Sequence, residues 1–440
     1  MPSNREMVAT KLQRIAEKAR SDSGCRFTSL FHLMNMEMLR ECFRGLRKDA
    51  AAGIDKVTKG EYAEDLEENL TVLVEKLHRM SYIPQPVRRV HIPKAGSNKK
   101  RPLGIPAIED KLVQAGLARI LTAIYEQDFI DDSYGFRPGR SCHDALRAVS
   151  DEVEGGRIHH IVDADIKGFF DNVDHEWLMQ FLDHRIADKR VLRYVKRFLK
   201  AGVMEDGAVI SSDRGTPQGG LISPILANIY LHYSLDLWFT RVFQKTCNGQ
   251  SRIIRYADDF VVCFQCKEDA TRFRRELDGR LAKFGLEISP EKTKIIEFGP
   301  FAENKAKRGG GKAATFDFLG FTHYCGRSRN GRYFRMKRIT SRKKFTAKIR
   351  MFKDWLKANR VLPTRELMDK VASKLRGHFA YYGVTDNSKG ISRFYHEVRR
   401  LLFKWLNRRG KRGCMNWEKF KFFLKKFPLP CPCIKVNLFS

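Results

Sequence analysis

The segment Ile253-Ile-Arg-Tyr-Ala-Asp-Asp-Phe-Val-Val constrains this chain more than any other. Apolar residues flank two adjacent acids, Asp258 and Asp259, which reads as two buried strands joined by a very short turn. An acid in a hairpin turn is ordinary in itself. Two neighbouring carboxylates, however, repel and destabilise such a turn unless positive charge sits between them and a third acid. Ile161-Val-Asp-Ala-Asp-Ile offers that third acid on a strand whose period of two sends Asp163 and Asp165 to one face. A buried, unpaired carboxylate is costly, so each acid by itself calls for an Arg or Lys partner. Hard oxygen ligands converging from two strands would instead suit a pair of Mg²⁺ ions roughly 3.5–4 Å apart. One ion would activate an attacking hydroxyl and the other would hold a triphosphate, which is the chemistry of nucleotidyl transfer.

Charge points the same way. Residues 301–440 hold 36 Lys and Arg against 8 Asp and Glu, whereas residues 1–300 hold 47 against 43. No acid occurs from Phe318 to Lys353, and twelve Lys and Arg crowd that stretch from Arg327 onward. So lopsided a field repels itself unless a polyanion screens it, which favours nucleic acid as partner. An anionic membrane surface suits it less, because the basic stretch lacks a clean amphipathic face. With 42% hydrophobic and 30% charged residues, the 440-residue chain has the composition of a soluble globular protein of two to three domains. No apolar run approaches the roughly 18–20 residues of a membrane span. Met1 to Arg20 lack a signal-type apolar stretch, and ten cysteines show no framework spacing, so a cytoplasmic location is expected.

The order of patterns is helical, then mixed, then helical and basic, which argues an α+β fold. Leu66, Leu70, Leu73, Val74 and Leu77 recur at helical spacing. Prolines then keep the chain from Ile83 to Lys94 extended, Gly96-Ser-Asn reads as a turn, and Arg101-Pro-Leu-Gly-Ile-Pro is extended again. Further along, the patterns give a strand at about His160 to Ile166 and helices after His175 and from Pro224. A helix over about Glu268 to Phe284 and short strands near Lys294 and Phe318 follow. From about Thr340 the pattern is helical, with Thr364 as a cap and Gly383 as a stop. Arg308-Gly-Gly-Gly-Lys lacks P-loop spacing, and Cys263 with Cys266 lacks a second ligand pair, so neither a P-loop nor zinc is expected.

Read together, these segments resemble the reverse transcriptases encoded by bacterial and organellar group II introns, from about Gly53 to Pro430. The resemblance is carried by Ile92-Pro-Lys with Arg101-Pro-Leu-Gly-Ile-Pro, and by Tyr134-Gly-Phe-Arg-Pro-Gly-Arg-Ser. It continues through Asp165 followed by Phe170, Gly215-Thr-Pro-Gln-Gly-Gly-Leu-Ile-Ser-Pro, and Tyr256-Ala-Asp-Asp. Pro290-Glu-Lys-Thr-Lys and Phe318-Leu-Gly-Phe complete the ordered set. The basic region around Leu375-Arg-Gly-His-Phe-Ala-Tyr-Tyr-Gly resembles the family's thumb, or maturase, domain. The C-terminal segment departs from the family pattern in having Cys431 and Cys433 where a basic residue is usual.

The resemblance implies a right-hand polymerase, with fingers and an antiparallel palm followed by an all-helical basic thumb. Its division would be a helical extension over 1–80, fingers and palm over 81–325, thumb over 326–400 and a nucleic-acid-binding segment over 401–440. It selects Asp165, with Asp258 and Asp259, as ligands of two Mg²⁺ ions and leaves Asp163 structural. Lys94 and Arg101 would grip the triphosphate, Gln218 would lie over the incoming sugar and base, and Phe170 would exclude a ribose 2′-hydroxyl. Trp405, Tyr381, Tyr382 and Phe379 could stack on bases, although at helical spacing most such rings are core. The implied partners are an RNA template, a DNA primer, deoxynucleoside triphosphates and a cognate intron RNA. Because the chain stops at Ser440, the endonuclease domain of many relatives is not expected. Other readings of the same residues are an RNA-dependent RNA polymerase, a splicing helper with a vestigial site, or a relative recruited to defence or repair.

Overall fold

A computed structural model describes residues 4–93, 100–205, 208–210, 213–216, 219–409 and 415–438. Lys94, the Gly96-Ser-Asn turn and Gln218 lie outside the described residues. The chain opens with α1 (Asn4–Ser21), α2 (Met36–Gly45), α3 (Lys59–Glu64) and α4 (Leu66–His78). Asn35 caps α2 through its side chain, and Thr58 with Glu61 forms a capping box on α3, so both starts are local in origin. Leu70, Leu73 and Leu77 of α4 are fully buried, as their spacing predicts. The end of α1 is tied down from afar. The Arg185 guanidinium donates to the carbonyls of Ala19, Asp22, Ser23 and Cys25, and its Nε lies 3.0 Å from Asp128.

Strands β1 (Val87–Pro93) and β2 (Lys100–Ile105) pair antiparallel and are followed by α5 (Ile108–Tyr125) and α6 (Cys142–Glu154). Next come β3 (His160–Asp165), α7 (Phe169–Asn172), α8 (His175–Asp183), α9 (Lys189–Lys200), β4 (Val203–Glu205) and β5 (Ala208–Ile210). Pro224 launches α10 (Ser223–Leu231), and the helix continues through π-wound turns at His232–Asp236 and Phe239–Phe243. Then follow β6 (Ser251–Tyr256), β7 (Asp259–Phe264), α11 (Lys267–Ala282), β8 (Lys294–Glu297) and α12 (Ala302–Arg308). Strands β9 (Phe316–Phe318), β10 (Phe321–Arg327) and β11 (Phe334–Thr340) precede α13 (Arg342–Asn359), α14 (Thr364–Tyr382), α15 (Ser388–Leu406) and α16 (Trp417–Lys426).

The described residues form a mixed α/β fold with largely antiparallel sheets and a helical C-terminal region. The central sheet has the order β6-β7-β3-β8 and is antiparallel throughout. An N-terminal sheet has the order β2-β1-β4-β5, in which only β1 and β4 run parallel. The third sheet is β11-β10-β9.

Both faces of the central sheet are covered, and strand alternation divides its residues between two cores. Val162, Ala164, Ile253, Phe260, Val262 and Phe264 join the cluster built by the N-terminal helices and α8 to α11. Ile161, Ile254, Val261, Cys263 and Ile296 join the cluster that includes α6 and the C-terminal helices.

One expectation fails in this region. The basic chain after residue 326 is not helical from its start, because Phe334–Thr340 pairs along Phe321–Arg327 as a hairpin and helix begins only at Arg342. Met336 and Arg338 are buried on one face of β11, so the alternation is real but carried partly by an arginine. The expected stop at Gly383 matches the end of α14.

Candidate active site

The central sheet brings the sequence-distant acids together by register. Asp165, at the end of β3, is the cross-strand partner of Asp259, at the start of β7. Tyr256 pairs with Asp259 to close the hairpin, which leaves Ala257 and Asp258 as its two turn residues. Ala257 has a φ of 57°, the sign that a tight hairpin turn requires at its first central position and one that alanine adopts only under constraint. Alternation places Asp163, Asp165 and Asp259 on the face that Ile161 and Val261 share, turned toward the C-terminal helices.

Three elements hold the strained turn. Arg255, fully buried on β6, donates to the Ala257 carbonyl at 3.0 Å and to Asn228 Oδ1 at 3.1 Å. Its other nitrogens meet both carboxylate oxygens of buried Asp236 at 2.8 and 2.5 Å. Asn228 in turn donates to the Gly135 carbonyl at 2.7 Å. Gly135 lies so close to the turn that a Cβ there would stand 2.2 Å from the Ala257 nitrogen, so only glycine fits. Backbone bonds from Tyr134 N to Arg255 O and from Arg255 N to Asp132 O lay this segment along β6. The Tyr134-Gly-Phe-Arg motif is thus a buttress for the acid-bearing hairpin. Arg255, Asn228 and Asp236 did not stand out as site residues in the sequence. The available signal was an Arg following two isoleucines in a strand and a lone Asp inside an apolar helix.

The electrostatics of the acids follow from burial. Burial raises the Asp258 carboxyl above its usual range, and Asp165 adds to this, while Arg101 and Arg255 draw it down. Burial and then Asp258 push Asp259 up to about 7, against the Leu319 backbone N–H and Lys344. Asp163 is also pushed up to about 7, first by burial and then by Asp259, Asp317 and Asp165. Neither Asp258 nor Asp259 has an ion-pair partner among the described residues. Buried carboxyls with no cation paired to them mark a site short of positive charge. Of the three acids, Asp165 alone meets a cation among the described residues, with Lys292 Nζ 2.6 Å from its Oδ2. Lys292 belongs to the Pro290-Glu-Lys-Thr-Lys motif. As they stand, no three His, Cys, Asp or Glu groups among the described residues converge closely enough to hold a metal. The donor set, three carboxylates with two of them lacking ion-pair partners, nonetheless has the chemistry of a hard divalent cation site.

Arg101 is exposed near the start of β2, close enough to Asp258 to lower its pKa. Phe170 on α7 is half-buried and packs edge-on against Phe169 with ring centroids 5.3 Å apart. It lines a cavity of about 420 Å³ between the N-terminal sheet, α7 and the segment Arg214 to Thr216, together with Arg89, Pro102 and Gly104. That volume lies in the ~300–1,000 Å³ range of small-ligand sites. Thr216 N donates to the Phe170 carbonyl at 2.8 Å, which joins the two motifs on one wall. Of the C-terminal aromatics, Phe379, Tyr382 and Trp405 are buried and Tyr381 is half-buried, so they are packing residues. No described helix is long and apolar enough to cross a membrane.

The chain is also similar to known proteins. The family model described as reverse transcriptase (RNA-dependent DNA polymerase) matches residues 92–323. The model described as group II intron, maturase-specific domain, matches residues 342–423. Group II intron-encoded protein LtrA of Lactococcus lactis subsp. cremoris is 39% identical over 235 residues, covering 53% of this chain and 39% of that protein. Protein YkfC of Escherichia coli (strain K12) is 33% identical over 326 residues, covering 66% of this chain and 85% of that protein. A 91 kDa protein in the cob intron of Schizosaccharomyces pombe is 33% identical over 277 residues, covering 51% of this chain and 34% of that protein. This chain therefore spans about two fifths of LtrA and most of YkfC. With the acid-bearing hairpin, the paired strand and both matched regions in hand, the chain belongs to the group II intron family of reverse transcriptases with a maturase domain.

Proposed function

We propose that this chain is a right-hand polymerase that adds deoxynucleotides to a primer 3′-hydroxyl on an RNA template and releases pyrophosphate. The observation that carries the reading is the pairing of Asp165 with Asp259 beside a turn that presents Asp258. In this reading residues 1–80 extend a fingers and palm region over 81–325, and the β10–β11 hairpin spans the boundary with the thumb over 326–400. Residues 401–440 complete its basic surface. Asp165, Asp258 and Asp259 would hold two Mg²⁺ ions, which supply charge neutralisation for the attacking hydroxyl and the triphosphate.

The chain's own residues do the positioning. Arg101, whose charge acts on Asp258, offers a planar fork to phosphate oxygens, and Lys94 and Gln218 complete the pocket by family resemblance. Phe170 closes the wall against which the sugar lies, so a ribose 2′-oxygen meets an aromatic ring. Lys292 must leave Asp165 when the site is loaded. The basic C-terminal region grips phosphates largely by charge, which suits both a template–primer duplex and folded intron RNA. As a maturase the protein also binds its intron RNA and assists splicing.

Primer extension on an RNA template with Mg²⁺ tests the reading, with Asp258→Asn as the matched variant. Loss of extension in the variant with retained RNA binding is expected. Extension that persists would remove the mechanism. One observation favours a second reading, an RNA-binding splicing helper without polymerase activity: the Asp165–Lys292 pair already neutralises one acid. Wild-type protein that binds intron RNA and supports splicing but never extends a primer would select it.

A further inference from the structure

Leu319 and Gly320 form the two-residue turn between β9 and β10, closed by the Phe318–Phe321 pair. Both have positive φ, 50° for Leu319 and 79° for Gly320. This is the sign pattern of a type I′ turn, in which Gly or Asn is the usual occupant and leucine costs roughly 1–2 kcal/mol. Such a conformation persists only where surrounding contacts over-determine it. Those contacts come from the C-terminal end of α14. The Tyr381 hydroxyl donates to the Leu319 carbonyl at 2.9 Å, and its ring stacks on Phe321 at a centroid distance of 6.0 Å and 14°. The Tyr382 hydroxyl lies 3.0 Å from where a Cβ on Gly320 would stand.

The same turn reaches the acids. The strand that leads into this turn, β9, packs against β3 and β7, which carry Asp165 and Asp259; the Leu319 N–H favours the charged form of Asp259, and the Leu319 carbonyl is the acceptor for Tyr381. One peptide group on each side of one strained residue therefore connects a C-terminal helix to the hairpin. Tyr381 is itself fixed to a third element. Its carbonyl lies 2.9 Å from His143 Nε2, and its side chain adjoins Cys142, both in the first turn of α6. Cys142, Tyr381 and Tyr256, the residue that closes the acid-bearing hairpin, all pack against the same hydrophobic cluster.

We infer that Tyr381 is a positioning residue: its hydroxyl holds the Leu319 turn against Asp259 and so transmits the placement of the C-terminal helices to the catalytic acids. This rests on the polymerase reading and assigns Tyr381 no contact with substrate. The coupling predicts a defect in turnover and in metal use rather than in nucleotide binding.

Single-nucleotide addition on an RNA template–primer, titrated separately with Mg²⁺ and with deoxynucleoside triphosphate, tests it. Tyr381→Phe keeps the ring stack and removes only the hydroxyl. The expected result is a roughly 3- to 10-fold fall in kcat, the range one hydrogen bond's net worth gives. The Mg²⁺ concentration for half-maximal rate should rise severalfold, with KM for the nucleotide within about twofold of wild type. Gly320→Ala strains the same turn from its other residue and should give the same signature. In the double variant the losses should be less than multiplicative, because both act on one turn. Tyr381→Phe with wild-type kcat and wild-type Mg²⁺ dependence would overturn the inference. So would a loss of activity that tracks a lower melting temperature with no change in Mg²⁺ requirement. A wild-type protein that cannot extend a primer would instead overturn the polymerase reading.

Discussion

Replacing Arg255 by Met removes the cation from a pair in which neither side chain has any exposure. Asp236 is then left as a buried, uncompensated carboxylate, and the Ala257 carbonyl and Asn228 Oδ1 lose their donor. Breaking a buried pair from one side costs about 3–5 kcal/mol. In a domain of this size that corresponds to a fall in Tm of about 6–20 °C. Adding Asp236→Leu removes the orphaned charge, and an apolar replacement of both partners is often neutral or stabilising. The double variant should therefore recover most of the lost Tm. It should not recover primer extension, because nothing then holds the Ala257 carbonyl and the strained turn that presents Asp258. Differential scanning calorimetry and primer extension, both run well below the lower Tm, separate the two effects. A single variant that melts within 2–3 °C of wild type would refute the treatment of the pair as buried and uncompensated. A double variant that regains both stability and extension would show that Arg255 contributes stability alone and does not position the hairpin.

The remaining predictions concern sugar choice and pH. Phe170→Val should relax discrimination against ribonucleotides in a primer extension competition, and unchanged selectivity would mark Phe170 as packing only. Asp110 is buried, accepts from the Tyr82 hydroxyl at 2.6 Å, and is pushed by burial up to about 7. A raised folded-state pKa means the native state binds more protons than the unfolded state between the ordinary carboxyl range and neutrality. Wild-type stability from this group is thus complete at acid pH and lost as pH rises toward 7. Asp110→Asn removes that slope, so the variant should gain on wild type as pH rises from 4 to 7, by up to roughly 4 kcal/mol. Parallel stability–pH curves for the two proteins would contradict the assignment.

The patterns that betray burial by alternation were legible in the sequence. Ile161 to Ile166 and the Tyr256-Ala-Asp-Asp hairpin announced themselves because apolar residues mark both faces, and Pro224 and Gly383 marked helix ends through their backbone chemistry. The β10–β11 hairpin was hidden because Arg338, buried against Ser150 on α6, reads in sequence as one more surface charge. Arg255 was hidden for the same reason. Sequence patterns place arginine at the surface, and here two of the largest fully buried side chains are arginines. The Lys292–Asp165 contact spans 127 residues and depends on how β8 docks beside β3, so no local spacing encodes it. The register that sets Asp165 opposite Asp259 is likewise a property of the assembled sheet, although each acid was visible alone.

The acid-bearing strands also act as a shared wall between the two hydrophobic clusters. Val261 belongs to one half of the protein and its neighbour Val262 to the other. Neither half can melt while leaving that wall intact, since each supplies one side of β3, β6 and β7. Amide protons along β3 and β7 should therefore belong to the slowest-exchanging class in the molecule. Heat should then extinguish catalysis together with the fold, leaving no temperature interval in which a folded protein has a disassembled centre.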